Sequence, residues 1–340
     1  MPPPCFGQVM SVRPALAKLN HQDVRQRRRA VRHLFELDDP EALVGFEKLL
    51  QDPDPWFREK ALEAVEKWAA SKDLSLIERL SNSNEDSRRL LAARIAHRAG
   101  KAGQQILIRL TSDSEPKIRL ASWKARISLD EKSISEALEN DDRAVRRAAA
   151  ERILGLGEWK PEVIIQLLSD DSPAVRNIAI RIIEQRDSVS EEEIILTLND
   201  LINDSSGELK ARIAGILLVS SPNQINDWIG DSNTAFVNQF SKILRDINWT
   251  LIENVPNKIK EVGSEMLLIR LLRGERSEIG KKLREELLRD ESRSETMISQ
   301  LIEDSIGRPI DESTLSIIEK LKDSESELIS QSANNLLAEL

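Results

Sequence analysis

The chain has no tyrosine, one cysteine and three histidines in 340 residues. A single cysteine excludes an internal disulfide framework and a cysteine-rich metal site, and it fits a reducing compartment. His21, His33 and His97 have no zinc-site spacing to one another or to Cys5, and none is followed by glutamate. His33 and Glu36 can share a helix face, which reads as an ordinary surface pair. Neither GxxxxGK[ST] nor GxGxxG occurs, so a phosphate-cradling loop is not expected. No apolar run approaches the roughly 18 residues that span a bilayer. The first residues, MPPPCF, have neither the basic start nor the apolar stretch of a secretory signal. These absences predict a soluble, cytoplasmic, monomeric and non-catalytic protein with no cofactor, no metal and no membrane partner.

What is present is a folded composition with an uneven charge. Hydrophobic residues make up 40% and charged residues 31%, as in a packed protein with a well-solvated surface. The net charge is -9, yet residues 1–187 carry 32 Lys and Arg against 30 Asp and Glu, and the remainder 17 against 28. The two parts would attract different partners.

Self-similarity organises the chain. LLQDPDPWFREKALEAV from Leu49 recurs as LENDDRAVRRAAAERI from Leu138 and LLSDDSPAVRNIAIRII from Leu167, with weaker copies at Leu80, Leu110, Ile202, Ile229, Val255, Leu288 and Leu321 and an earlier one around Leu19. A period in this range signifies a solenoid, propeller or array. Within one unit Ala42, Leu43, Phe46, Leu49 and Leu50 fall at helical spacing, and Ala61, Leu62, Val65 and Trp68 do so after QDPDP, so each unit is a helical hairpin. Asp54, Asn84, Asp142, Ser172, Ser206, Asn233 and Ser292 form a column able to accept the orphan N–H groups of the second helix. Pro55, Pro116 and Pro173 follow the cap position, where a missing N–H costs nothing. Two residues before the cap stand Asp52, Asn82, Asp113, Asn140, Asp170, Asp204, Asp231, Asn257, Asp290 and Asp323, which suit hydrogen bonds within the turn.

Four residues after the cap come Arg58, Arg88, Arg119, Arg146, Arg176 and Lys210, followed by small residues such as Ala61, Ala149 and Ala179. An acidic turn, an apolar-Arg pair and a small-residue column resemble the HEAT repeat family, including its phycobilin-lyase-like branch, in which such Asp and Arg form a ladder between repeats. The likeness is strongest over residues 40–186, and beyond Lys210 the arginine column reads Val237, Gly263, Thr296 and Ile329. The resemblance implies an all-α, right-handed α-solenoid of about ten stacked hairpins, a HEAT/ARM-like superhelix. Residues 11–340 are then a single repeat domain, divergent over 191–340, behind a disordered Pro-rich tail of residues 1–10.

If the second helices line the concave side, as the resemblance implies, the positions one and five after the arginine column face inward. Through the N-terminal part they are Arg28, Arg32, Glu59, Glu63, Arg89, Ala93, Leu120, Lys124, Arg147, Glu151, Asn177 and Arg181. The C-terminal equivalents are nearly uncharged. Arg28, Arg32, Arg89, Lys124, Arg147 and Arg181 are therefore the candidate partner-binding residues of an interaction scaffold. An acidic protein surface is the leading partner, because the charge balance is far from the basic footprint of a dedicated nucleic-acid binder. Binding of a nucleic-acid backbone by the same stripe is the alternative, and a bilin-lyase-like enzyme the third. Trp56, Trp123 and Trp159 occupy non-equivalent repeat positions and read as packing residues, not as a platform for bases.

Overall fold

A computed structural model describes residues 11–186, 189–205, 207–220 and 227–340, apart from the side chains of Asp227 and Trp228. The expected tail, Cys5 and the Ser206 cap lie outside the described residues. The chain divides into two compact units, the first ending at Arg152 and the second running from Ile153 to Leu340. Both are helical hairpins repeated, with no strand among the described residues. No helix of the described residues is long and apolar enough to cross a membrane.

In the first unit α1 (Val12–Lys18) pairs with α2 (Val24–Leu37), α3 (Leu43–Leu49) with α4 (Pro55–Trp68), α5 (Leu74–Ser81) with α6 (Asp86–Ile95), and α7 (Gly100–Leu110) with α8 (Pro116–Leu129). Then come α9 (Glu131–Leu138) and α10 (Arg143–Leu156), within which the unit boundary falls. The second unit holds α11 (Pro161–Leu168) with α12 (Pro173–Ile183) and α13 (Glu192–Asn203) with α14 (Gly207–Ser220). A 3-10 turn at Asp227–Gly230 precedes α15 (Thr234–Asp246). There follow α16 (Val255–Val262), α17 (Glu265–Leu272), α18 (Glu278–Leu288), α19 (Glu295–Glu303), α20 (Glu312–Leu321) and α21 (Glu327–Glu339).

The turns show why the hairpins form. Asp52 Oδ1 accepts the Asp54 N–H at 3.0 Å, and Asp54 Oδ1 in turn accepts the Trp56 N–H at 3.0 Å, capping α4 while Pro55 opens it. Asn140 and Asp142 repeat this at α10, and Asp231 and Asn233 at α15. The arginine four residues after the cap then closes the turn from above. Nη1 of Arg58 donates to the carbonyl oxygens of Asp52 and Pro53 at 2.7 and 2.9 Å, and Arg119, Arg146 and Arg176 do the same in their own turns. These bonds satisfy carbonyls that a reversal of direction leaves without helix partners.

Four turns depart from the sequence reading, among them that of α21, whose cap is Ser326, three residues after Asp323. The cap of α6 is Glu85, one residue after Asn84, so the arginine of that turn is Arg89, whose Nη1 reaches Ser83 O at 2.9 Å. Arg88 instead turns to the preceding hairpin and donates to Leu50 O at 2.7 Å. The cap of α19 is Ser294 and not Ser292, and Asn257 sits inside α16 instead of in a turn. Ser172 does hold the cap position of α12, but its side chain makes no capping bond.

Between hairpins the ladder has rungs at Arg27 with Asp52, Arg89 with Asp113 at 2.8 Å, and Lys210 with Asp231 at 2.5 Å. In the first unit the second helices each bury a small residue at the same position after the cap, Ala30, Ala61, Ala92, Ser122 and Ala149, and α12 of the second unit buries Ala179, each at most 2% exposed. The Ser122 hydroxyl bonds back to Ile118 O at 2.9 Å, so it enters the core without an orphan donor.

Candidate functional site: a cationic groove on the second helices of the first unit

The one-residue shift at α6 changes which side chains face out. With Glu85 as cap, the stripe positions of α6 are Leu90 and Arg94, whereas Ala93 is fully buried. Arg89, expected on the stripe, is committed to the ladder. Its Nε and Nη2 bond Asp113 at 2.8 and 3.2 Å, Nη2 also bonds Asp86, and its side chain is 15% exposed. The Asp113 carboxyl is pushed up by burial, but the Arg89 hydrogen bond, the Glu115 N–H and the nearby arginine charges outweigh this and hold it below the usual carboxylate range.

In the corrected register the stripes of α6 and α8 come together. The two helices pack side by side, and over them opens a groove of about 730 Å³. Its floor is apolar, with Leu90, Leu120, Ala121, Ala125 and Leu129, and its rim carries Arg94, His97, Lys117 and Lys124. No carboxylate of the described residues lines it. Lys117 and Lys124 are exposed and have no ion-pair partner among the described residues. Among the described residues Arg94 pairs with Glu66 alone, at 3.5 Å. His97 arrives because α6 ends in a 3-10 turn, Ala96–Ala99, pressed against α7. Gly103 of α7 makes that approach possible: a Cβ there would lie 1.8 Å from the Ala96 carbonyl oxygen.

The other candidates are not part of this groove. Arg28 and Arg32 are on α2, and α4 lies beside it with Glu59 and Glu63 at the equivalent positions, which interrupts the basic stripe. Arg28 is drawn to Asp54 at 3.1 Å and lies over the Trp56 ring at 5.1 Å, while Arg32 is exposed. Arg147 pairs with Glu151 of its own helix at 2.9 Å. Arg181 is an exposed residue of α12 in the second unit. Lys124 alone of the six lines the groove. Arg94, Lys117 and His97 escaped the sequence reading. The small-residue column, which demands Ala92, is the signal that fixes the register and exposes Arg94; Lys117 and His97 lie off the stripe and have no such signal.

Trp123 is 8% exposed with Arg126 over its ring at 4.5 Å, Trp159 is covered by Arg186 at 3.8 Å, and Trp56 meets Phe57 edge-on at 5.0 Å. The described residues contain no group of three or more His, Cys, Asp or Glu able to hold a metal.

Residues 12–96 match the family model for HEAT repeats, so the N-terminal part of the chain is a HEAT-repeat region; nothing in that match points to the phycobilin-lyase-like branch. No curated protein matches the chain. Among solved structures, an engineered protein is similar at 17% identity, with 97% of this chain and 99% of that one covered and a TM-score of 0.34. The Escherichia coli protein YibA is similar at 16% identity, with 94% and 99% covered and a TM-score of 0.33.

Proposed function

We propose that the chain is a non-catalytic interaction scaffold, soluble and monomeric in the cytoplasm, whose first unit binds an acidic, amphipathic protein segment in the groove over α6 and α8. The observation that carries this reading is the pairing of an apolar floor with a rim of Arg94, His97, Lys117 and Lys124 and no acid. Apolar burial supplies affinity, and a rim of one sign selects an acidic partner and speeds its approach. A nucleic-acid backbone is less well served. It needs a continuous basic track, which Glu59 and Glu63 interrupt, and it gains nothing from Leu90, Leu120 and Leu129.

The test uses two labelled probes: an amphipathic helical peptide with glutamates on one face and leucines on the other, and a DNA duplex. Saturable binding of the peptide is expected, with affinity about tenfold or more weaker for Lys117→Glu/Lys124→Glu, a variant expected to keep its helical circular dichroism because both residues are exposed. Unchanged peptide binding by that variant overturns the groove. Tighter binding of the duplex, with log affinity falling steeply against log salt, moves the protein to the nucleic-acid class.

A further inference from the structure

After residue 187 the sequence is acidic, with 28 Asp and Glu against 17 Lys and Arg, so a concentration of cations in that region stands against its own background. One surrounds a cavity of about 420 Å³ formed by the start of α18 and the loop between α19 and α20. Arg276, Lys281, Arg284 and Arg308 line it, with Glu275 and Asp311 of opposite sign. Both acids are engaged by backbone. Glu275 Oε1 accepts the N–H groups of Arg276 and Ser277 at 2.9 and 2.8 Å, and Asp311 Oδ1 caps α20 through the Thr314 N–H at 2.8 Å. Glu278 holds Lys281 at 2.8 Å.

The two arginines at the centre are under-compensated. Arg284 gives one Nη2 bond, 2.5 Å to Leu272 O at the end of α17, and its Nε is buried without a partner. Burial first and the Arg308 guanidinium second draw Arg284 below the usual arginine range, against the pull of Asp304 and Glu275. Asp304 acts on Arg284 through charge alone: Arg273 approaches its Oδ1 at 3.5 Å, and its Oδ2 is buried without a hydrogen-bond partner. The side chains of Arg276 and Arg308 have no carboxylate partner among the described residues. Gathering like charges this way opposes folding, and a bound anion relieves it.

We propose that this cavity binds the phosphoryl group of a small organic phosphate, with Arg308 supplying the fork and Arg276, Arg284 and Lys281 the surrounding positive charge. A phosphomonoester carries about -1.5 to -2 at neutral pH and matches more than one uncompensated guanidinium, whereas a carboxylate brings a single charge. Planar guanidinium forks also take two phosphate oxygens at once. The cavity is larger than a bare ion requires and lies within the roughly 300–1,000 Å³ of small-molecule sites. Pro309 and Ile310 give the organic body an apolar wall. The site is separate from the α6–α8 groove and stands or falls without it.

Calorimetric titration of the full chain with O-phosphoserine, with serine as control, tests the proposal. Saturable binding of O-phosphoserine and none of serine is expected. Either Arg308→Ala or Arg276→Ala weakens it by about tenfold or more, and the double variant, checked for helical content, loses it. A second arm places the phosphoserine in a short peptide: equal affinity for both forms marks a small metabolite as the source, and binding of the peptide alone marks a phosphorylated protein, overturning the small-ligand form. Absence of saturable binding by either phosphate compound, or affinity unchanged in the double variant, overturns the site itself.

Discussion

From α2 to α12 the second helix of every hairpin presents a small residue at the same position after its cap, Ala30, Ala61, Ala92, Ser122, Ala149 and Ala179. From α14 onward that position holds Ile213, Phe240, Leu271 and Leu301 before Ala333 restores it, and all of them are buried. The spacing of the core therefore survives where the residue types change. Close approach survives too, by another route. Gly215 of α14 faces Ile243 of α15, where a Cβ would stand 2.7 Å from Ile243 Cγ2, so the small residue has moved along the helix. The ladder changes with the column. After the rung between Lys210 and Asp231 the next arginine position is Val237, fully buried. A hairpin fold is specified by periodicity and caps; the small-residue column and the arginines specify one particular way of stacking it.

The comparison breaks most visibly at the column itself. Ala149→Asp places a carboxylate at a fully buried small-residue position of α10 and should cost about 4 kcal/mol, the desolvation of a charge in an apolar site. Thermal unfolding followed by circular dichroism measures it. A variant that melts with the wild type would remove Ala149 from the core, and with it the claim that the first region stacks through small residues.

A smaller effect separates the rungs. Arg89→Ala takes its two guanidinium bonds from Asp113, whose side chain is 6% exposed, and leaves it the Glu115 N–H and the charge of Arg119, a loss of about 2 kcal/mol. Lys210→Ala leaves Asp231 at 23% exposed, where water takes over, a loss nearer 1 kcal/mol. Both carboxyls titrate below their ordinary value: burial raises each, and the cation with the turn N–H outweighs it. A carboxyl with a depressed folded pKa contributes stability that is complete above the unfolded value near 3.9 and is lost as pH falls through the folded one. The gap between wild type and Arg89→Ala should accordingly close as denaturation is repeated from roughly pH 5 down to pH 2. A gap that stays constant would mean that Arg89 acts by packing alone.

These residues also show what the sequence could and could not disclose. Asp54, Pro55 and Arg58 each combine a residue type with a spacing that permits one backbone arrangement, so hairpin, cap and turn are legible without coordinates. Asn84 and Glu85 are a different case. Either can stand at a helix start, and Arg88 and Arg89 repeat the ambiguity, so the pattern tolerates a slip of one residue. That slip sent Arg89 to the surface and Ala93 with it, and it hid Arg94. The groove was further concealed because His97 reaches it through the 3-10 turn that ends α6, a local change of helix that periodicity does not encode. In the divergent region Asn257 satisfies the residue type of the turn column but not its geometry.

The smallest effect concerns two caps that are the same in sequence and different in structure. Asp54 accepts the Trp56 N–H, and its carboxyl is held below the usual range, first by that N–H and then, against some desolvation, by Arg28. Asp54→Ala should lose about 1 kcal/mol. Ser172 occupies the corresponding place before Pro173 but offers no bond from its hydroxyl, so what holds the turn there is the Asp170 carboxylate accepting the Ser172 N–H at 2.7 Å and the Arg176 guanidinium on Asp170 O. Both survive truncation of the side chain. Ser172→Ala should therefore cost only a few tenths of a kcal/mol, below the usual loss of a cap. Urea denaturation of the two variants beside exposed Glu63→Ala decides it: equal losses for Asp54→Ala and Ser172→Ala would show that the Ser172 hydroxyl caps α12 in solution, and that the two turns are alike after all.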